Sequence, residues 1–156
     1  MAESTVQSLF RELQDRLGLE ALTPLPEEPV PVSAPDVHRP GMAVMGFTED
    51  FLPDRIQVMG GSEMSYLGTL DEAAQLAAFE RVMALEPPTI IVSRSHDVPP
   101  HIVELARGRE FPLLQASVSA ETVLRELTHH LERAFAPHCE VHGTLVDVYG
   151  VGLLIT

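Results

Sequence analysis

The chain is 156 residues long with a mass of 17.1 kDa, 45% apolar and 21% charged, enough for one domain with a real core and too short for two catalytic domains. Its formal net charge is -13 and its pI about 4.8, which leaves no long-range positive field for a phosphate backbone or an anionic lipid surface. All ten cationic side chains are arginine and the one cysteine is Cys139, so lysine-dependent chemistry and an internal disulfide are both excluded, and a reducing cytoplasm is the expected compartment.

Val6, Leu9, Phe10, Leu13 and Leu17 recur at helical spacing, predicting a helix that Gly18 ends, with Ser4 and Gln7 spaced as a capping box. Prolines at 24, 26, 29, 31 and 35 forbid helix in the connector that follows and admit only a short edge strand at 30–32. Residues 42–46 and 55–59 are predicted as short strands, with Pro53-Asp54 turning between them. Gly60-Gly61 breaks the second run, and Ser62 is expected to cap a short helical turn through Glu63 and Leu67. Thr69 with Glu72 repeats the capping-box spacing before a helix whose apolar face is read as Ala73, Leu76, Ala77, Phe79 and Met83, stopped by Pro87-Pro88.

The punctuation then becomes regular. Residues 89–92 form a β-branched apolar run, Pro99-Pro100 opens a helix that Gly108 closes, residues 112–115 form a second apolar run, and Ser119 caps a helix bearing Val123, Leu124, Leu127, Leu131, Ala134 and Phe135. Strand and helix alternating over short joints predict an α/β fold: a three-layer sandwich with a mainly parallel central sheet, ending near Phe135. Pro137 marks a second start, where residues 141–148 and 151–156 suit a β-hairpin around Tyr149-Gly150. The last six residues are an apolar strand, so the natural chain is expected to continue past Thr156. No apolar run approaches the ~20 residues of a membrane span, and the N-terminus carries no basic or apolar leader pattern.

The run from His142-Gly143-Thr144 through Tyr149-Gly150-Val151-Gly152 to Ile155-Thr156 resembles the segment just before the P-loop of the HPr kinase/phosphorylase family. Arg39-Pro40-Gly41, Gly46, the run Arg55-Ile56-Gln57-Val58-Met59-Gly60, Glu63, Ser65-Tyr66-Leu67 and Pro88-Thr89-Ile90-Ile91-Val92 are similar to that family's N-terminal domain in order and spacing. The resemblance covers residues 39–156. It implies residues 1–136 as the family's N-terminal α/β domain and 137–156 as the first strands, a truncated hairpin, of a C-terminal P-loop kinase domain, with the loop expected from position 157. It further implies a bifunctional cytoplasmic enzyme, usually hexameric, that phosphorylates a serine of the phosphocarrier HPr with ATP or pyrophosphate and Mg²⁺. The same site reverses the reaction by phosphorolysis, in carbon catabolite repression. HPr would engage the kinase domain, and this chain by itself is expected to be non-catalytic, with no cofactor or metal site and with no nucleic-acid or membrane partner.

His142 is the one catalytic residue the resemblance carries over, placed near the transferred phosphoryl group, where a near-neutral histidine can hydrogen-bond phosphate or orient a carboxylate; the plain alternative is a strand-end histidine bonded to a carbonyl. Asp147 lies an odd number of residues from it, so in a strand the two point to opposite faces, and the same parity opposes a Cys139–His142 dyad. His129 and His130 project about 100° apart on a helix, leaving Glu126 and His130 as the one i, i+4 pair, two ligands without a third. Gly60-Gly61-Ser62-Glu63 fits an anion nest, yet a turn and helix cap explain it more simply, and Arg39 and Arg55 are read as anchors for acidic side chains. Two rival readings are a stand-alone ligand-sensing or assembly module and a small hydrolase using His142. Neither a G-x-S-x-G nor an H-E-x-x-H pattern supports the hydrolase.

Overall fold

The computed structural model describes residues 4–94, 96–137, 143–148 and 151–155. Strand β1 (Ser4–Thr5) runs directly into helix α1 (Val6–Leu17), followed by β2 (Glu20–Ala21), β3 (Pro31–Val32) and β4 (Val37–His38). Next come α2 (Gly41–Val44), β5 (Ile56–Met59), α3 (Gly61–Gly68), α4 (Glu72–Met83), β6 (Ile90–Val92), α5 (Pro100–Gly108), β7 (Leu113–Gln115) and α6 (Ala120–Phe135). Strands β8 (Thr144–Val148) and β9 (Val151–Ile155) close the chain as an antiparallel hairpin in which Val148 faces Val151.

The sheet order is β2-β7-β6-β5-β4, with β4 through β7 parallel and β2 antiparallel on the far edge. Strand alternation divides the core in two. Ile56, Val58, Ile91 and Leu114 point to the side covered by α1 and α6, against Leu9, Leu13, Leu17, Val123, Leu127 and Leu131. Met59, Ile90, Val92 and Leu113 point to the other side, against Val44, Leu67, Phe79, Val82, Ile102 and Ala106 of α2 to α5. Burial on both faces is why the strands read as unbroken apolar runs. The α/β three-layer sandwich expected from the sequence is the observed fold.

Several local expectations are corrected. The cap of α1 is Thr5, whose hydroxyl accepts from the Ser8 N–H at 3.0 Å while Ser8 Oγ accepts from the Thr5 N–H at 3.1 Å; Ser4 is instead spent pairing with Val32 in a two-residue ladder. Residues 42–46 are not a strand: Pro40 pre-sets a helical start and Gly41–Val44 form one short turn, burying Ala43 and Val44. In α4 the cap is Asp71, not Thr69, and the buried residues are Ala78, Phe79, Val82 and Met83, while Ala73 and Ala77 face solvent. Phe79 and Met83 are buried as expected, whereas the alanines are too small to mark which side of the helix faces the core. Two strands appear beyond the expected one, β2 just before the connector and β4 within it, each paired along only two residues at a sheet edge. Such short ladders are set by the neighbouring strand, not by local propensity.

Helix α1 ends because Gly18 takes the left-handed conformation at φ 60°, with the Gly18 and Leu19 N–H groups both donating to the Gln14 carbonyl. A methyl group placed on Gly18 would collide with the Ser117 hydroxyl and lie 2.9 Å from its Cβ. Ser117 cannot yield freely, since its N–H is held by the Leu17 carbonyl at 3.0 Å. Gly18→Ala is therefore expected to cost about 2–4 kcal/mol in urea denaturation. The control is Gly68→Ala, where a methyl meets nothing within 4 Å; equal costs for the two would refute the packing argument.

Candidate functional site

In a parallel sheet every strand delivers its following loop to the same edge, where open α/β sheets gather their ligand-binding groups. Here that edge collects Arg39 after β4, Gly60 to Glu63 after β5, Ser93 and His96 after β6, and Ser117 to Ser119 after β7. The ladder continues one residue past the strands, with the Ser93 N–H on the Met59 carbonyl at 2.9 Å and the Ala116 N–H on the Val92 carbonyl at 2.8 Å. Gly60, Ser93 and Ala116 thus form a row of small residues on the α6 side. Space decides the first of them: a methyl on Gly60 would sit 3.0 Å from Ala120 Cβ and 2.5 Å from Arg39 Nη2.

The centre of the edge is an ion pair. Arg39 grips the Glu63 carboxylate with both Nε (3.0 Å) and Nη2 (2.7 Å), and the Gly60 N–H donates to the same carboxylate at 3.0 Å. The Glu63 side chain is 5% exposed and that of Arg39 40%. Burial by itself would raise the Glu63 carboxyl, but the Arg39 guanidinium and the N–H groups at the start of α3 outweigh it and hold the carboxyl below its usual range. Helix α3 therefore begins with a carboxylate of its own chain in the place where an external anion would bind. The cap reading of Gly60 to Glu63 holds over the anion nest, with Glu63, not Ser62, as the capping side chain.

Two buried polar atoms at this edge, Ser93 Oγ and His96 Nε2, have no hydrogen-bond partner. They are not bonded to each other, so they form no nucleophile and base pair. The His96 carbonyl accepts from Gln115 Nε2, which ties the loop after β6 back to β7. A cleft of about 560 Å³ lies away from this chemistry, beside the connector and the turn before β7, lined by Glu27, Glu28 and Glu110 with one arginine, Arg107. Its carboxylates suit no anionic ligand.

His142 and Cys139 lie outside the described residues. Asp147 is on β8, opposite Gly152. Glu126 and His130 are drawn apart: Glu126 accepts from Arg16 at 3.2 Å and His130 pairs with Glu12 at 3.0 Å, so both clip α6 to α1. Among the described residues no group of three or more His, Cys, Asp or Glu is arranged to hold a metal ion. Both arginine expectations are met, Arg39 on Glu63 and Arg55 on Asp54 at 2.6 Å and Asp36 at 3.4 Å. The pairing of Arg39 with Glu63 spans 24 residues and had no signal beyond a glutamate three places after Gly60.

The family described as HPr Serine kinase N terminus matches residues 5–131. Among similar proteins, the HPr kinase/phosphorylases of Geobacillus thermodenitrificans and of Bacillus cereus and Bacillus anthracis strains are each 37% identical over 126 residues, which is 81% of this chain and 41% of theirs. The chain thus spans about two fifths of the length of these relatives. Among solved structures, the CBS and DRTGG domains of the regulatory region of Clostridium perfringens pyrophosphatase, complexed with its activator diadenosine tetraphosphate, align with a TM-score of 0.54. The identity is 20%, over 76% of this chain and 45% of that one, a likeness of fold. Among the described residues no helix is long and apolar enough to cross a membrane.

Because the Glu63 carboxyl is held below 4.5, the value it would have unperturbed, its stabilisation is fully present above that pH and is lost as pH falls through the lower folded value. Glu63→Gln is expected to cost about 1–3 kcal/mol at neutral pH, towards the low end because Arg39 is partly solvated. In thermal melts the gap between the native chain and this variant should stay level from about pH 8 to about pH 5.5 and narrow below about pH 4.5. A gap unchanged down to about pH 3 would contradict the assignment.

Proposed function

The chain belongs to the HPr Serine kinase N terminus family, and from that membership we propose that it is the N-terminal α/β domain of an HPr kinase/phosphorylase, residues 1–136, joined to the opening hairpin of the kinase domain, residues 137–156. The observation that carries this is the family match over residues 5–131, joined to relatives bearing that name at 37% identity. The boundary is supported by the change of element type, since the antiparallel pair β8–β9 follows after the long helix α6 has ended. The whole enzyme would be cytoplasmic and hexameric. It would transfer a phosphoryl group from ATP or pyrophosphate to a serine of HPr, and remove it by phosphorolysis, in carbon catabolite repression.

Phosphoryl transfer is positioning and charge stabilisation above all, and it calls for a cradle of backbone N–H groups, a lysine and Mg²⁺. The present residues contain no lysine, and the charge at the sheet edge is already spent, Arg39 on Glu63 and Gly60 N–H on the same carboxylate. The reading therefore gives ATP or pyrophosphate and the metal to the P-loop expected from position 157, and HPr to the kinase portion. Within this chain His142 is the proposed catalytic contribution, bonding phosphate or orienting a carboxylate that follows the loop. The α/β domain itself would serve regulation or assembly. The alternative, a stand-alone sensing module, differs in one respect: its gene would encode no glycine-rich loop with lysine and serine after Thr156.

The test uses the full-length product of the gene, HPr, and either ATP or pyrophosphate. Serine phosphorylation of HPr is expected, and His142→Ala should lower the rate by about 10²-fold with the thermal midpoint unchanged. Unaltered activity would remove His142 from the mechanism, and no phosphorylation by the native enzyme would remove the kinase reading. Calorimetry on residues 1–156 should show no binding of ATP or pyrophosphate; micromolar affinity would refute the placement of the phosphate site downstream.

A further inference from the structure

Among the described residues, the exposed large apolar side chains all fall between positions 42 and 52: Met42 (61% exposed), Met45 (62%), Phe47 (42%) and Leu52 (41%). Isolated exposed apolar residues are ordinary, but a cluster drawn from one segment marks an interaction surface. The segment is also held firmly from beneath. Ala43 and Val44 of α2 are buried in the core, Arg81 Nη1 donates to the Val44 carbonyl at 3.0 Å, and the Phe47 N–H closes onto the Met42 carbonyl at 2.9 Å. At the far end Gln57, fully buried, donates from Nε2 to the carbonyls of Leu52 (3.2 Å) and Arg55 (2.9 Å). The surface is thus displayed by a stapled loop, and a partner would not have to order it on binding.

Charge selects the partner. Glu49 and Asp50 lie between Phe47 and Leu52 in the chain, are exposed, and have no ion-pair partner among the described residues. The neighbouring cations are engaged, Arg81 on main-chain carbonyls and Arg55 on Asp54 and Asp36. Two copies of this surface brought face to face would oppose carboxylate to carboxylate on chains that each carry a net charge of -13, and an anionic lipid surface would be repelled in the same way. Methionine adds a flexible, polarizable contact that adapts to differing apolar faces.

We infer that the α2 turn and the loop after it, from Met42 to Leu52, form a docking surface for a basic amphipathic segment of another protein, whose apolar side chains cover Met42, Met45 and Phe47 while flanking Lys or Arg residues pair with Glu49 and Asp50. This does not depend on the kinase reading, since it uses no residue of the sheet edge or the hairpin.

The probe is a fluorescein-labelled helical peptide of leucine and lysine, about 18 residues long, titrated with the 156-residue chain at physiological salt and followed by anisotropy. Binding is expected, weakened about tenfold or more by Met45→Ser with Phe47→Ser and about threefold by Glu49→Gln with Asp50→Asn. All four side chains face solvent, so thermal midpoints should be unchanged. The proposal is overturned if the apolar variant binds as the native chain does, or if a leucine and glutamate peptide binds equally. It is also overturned if sedimentation finds a dimer that the apolar variant abolishes, or if phosphatidylserine vesicles recruit the chain through the same residues.

Discussion

Four parallel strands joined by helices leave neither face of the sheet to water, and every other feature of this chain follows from meeting that requirement with strands of only two to four residues. Alternation sends Ile56, Val58, Ile91 and Leu114 one way and Met59, Ile90, Val92 and Leu113 the other, so each face needs its own cover. Each fully buried side chain of this size contributes roughly 1.5–3 kcal/mol, whereas the ladders are too short to hold themselves.

The same requirement explains the carboxyl edge. Helix α6 must cross back over the α6 side to reach β5 and β4, and it passes close to the main chain at Gly60, where only hydrogen in place of Cβ leaves room. The gap is bounded by Arg39, whose charge needs a partner, and Glu63 supplies it while also capping α3. One ion pair thus joins the end of β4, the end of β5 and the start of α3. In many open α/β sheets this corner receives a ligand; here the chain fills the anion position with its own carboxylate.

Membership in the HPr Serine kinase N terminus family concerns residues 5–131, the sandwich itself. A module of this shape carries its individuality on the surface: a cluster of methionines and a phenylalanine on a stapled loop, set among acidic side chains. The acid excess has a physical consequence of its own, because it favours encounter with basic partners.

The sequence by itself determined the class of fold, the helices α1, α5 and α6, the strands β6 and β7 and the hairpin, because each carries a strong local period or an unambiguous boundary, such as the stop at Gly18 or the start at Pro99-Pro100. It also named Arg39, Arg55, Gly60 and Glu63 as residues with work to do, though not with whom. Only the tertiary structure decided that Gly41–Val44 turn as a helix, that β2, before the proline-rich connector, and β4, within it, form the two edges of the sheet, and that Arg39 meets Glu63. It likewise decided that Glu126 and His130, one helical turn apart, part company to reach Arg16 and Glu12. The reason is range: a period or a cap is written in neighbouring residues, whereas edge pairing, ion pairing and the closeness of α6 to Gly60 are fixed by chains that meet only after the core has closed.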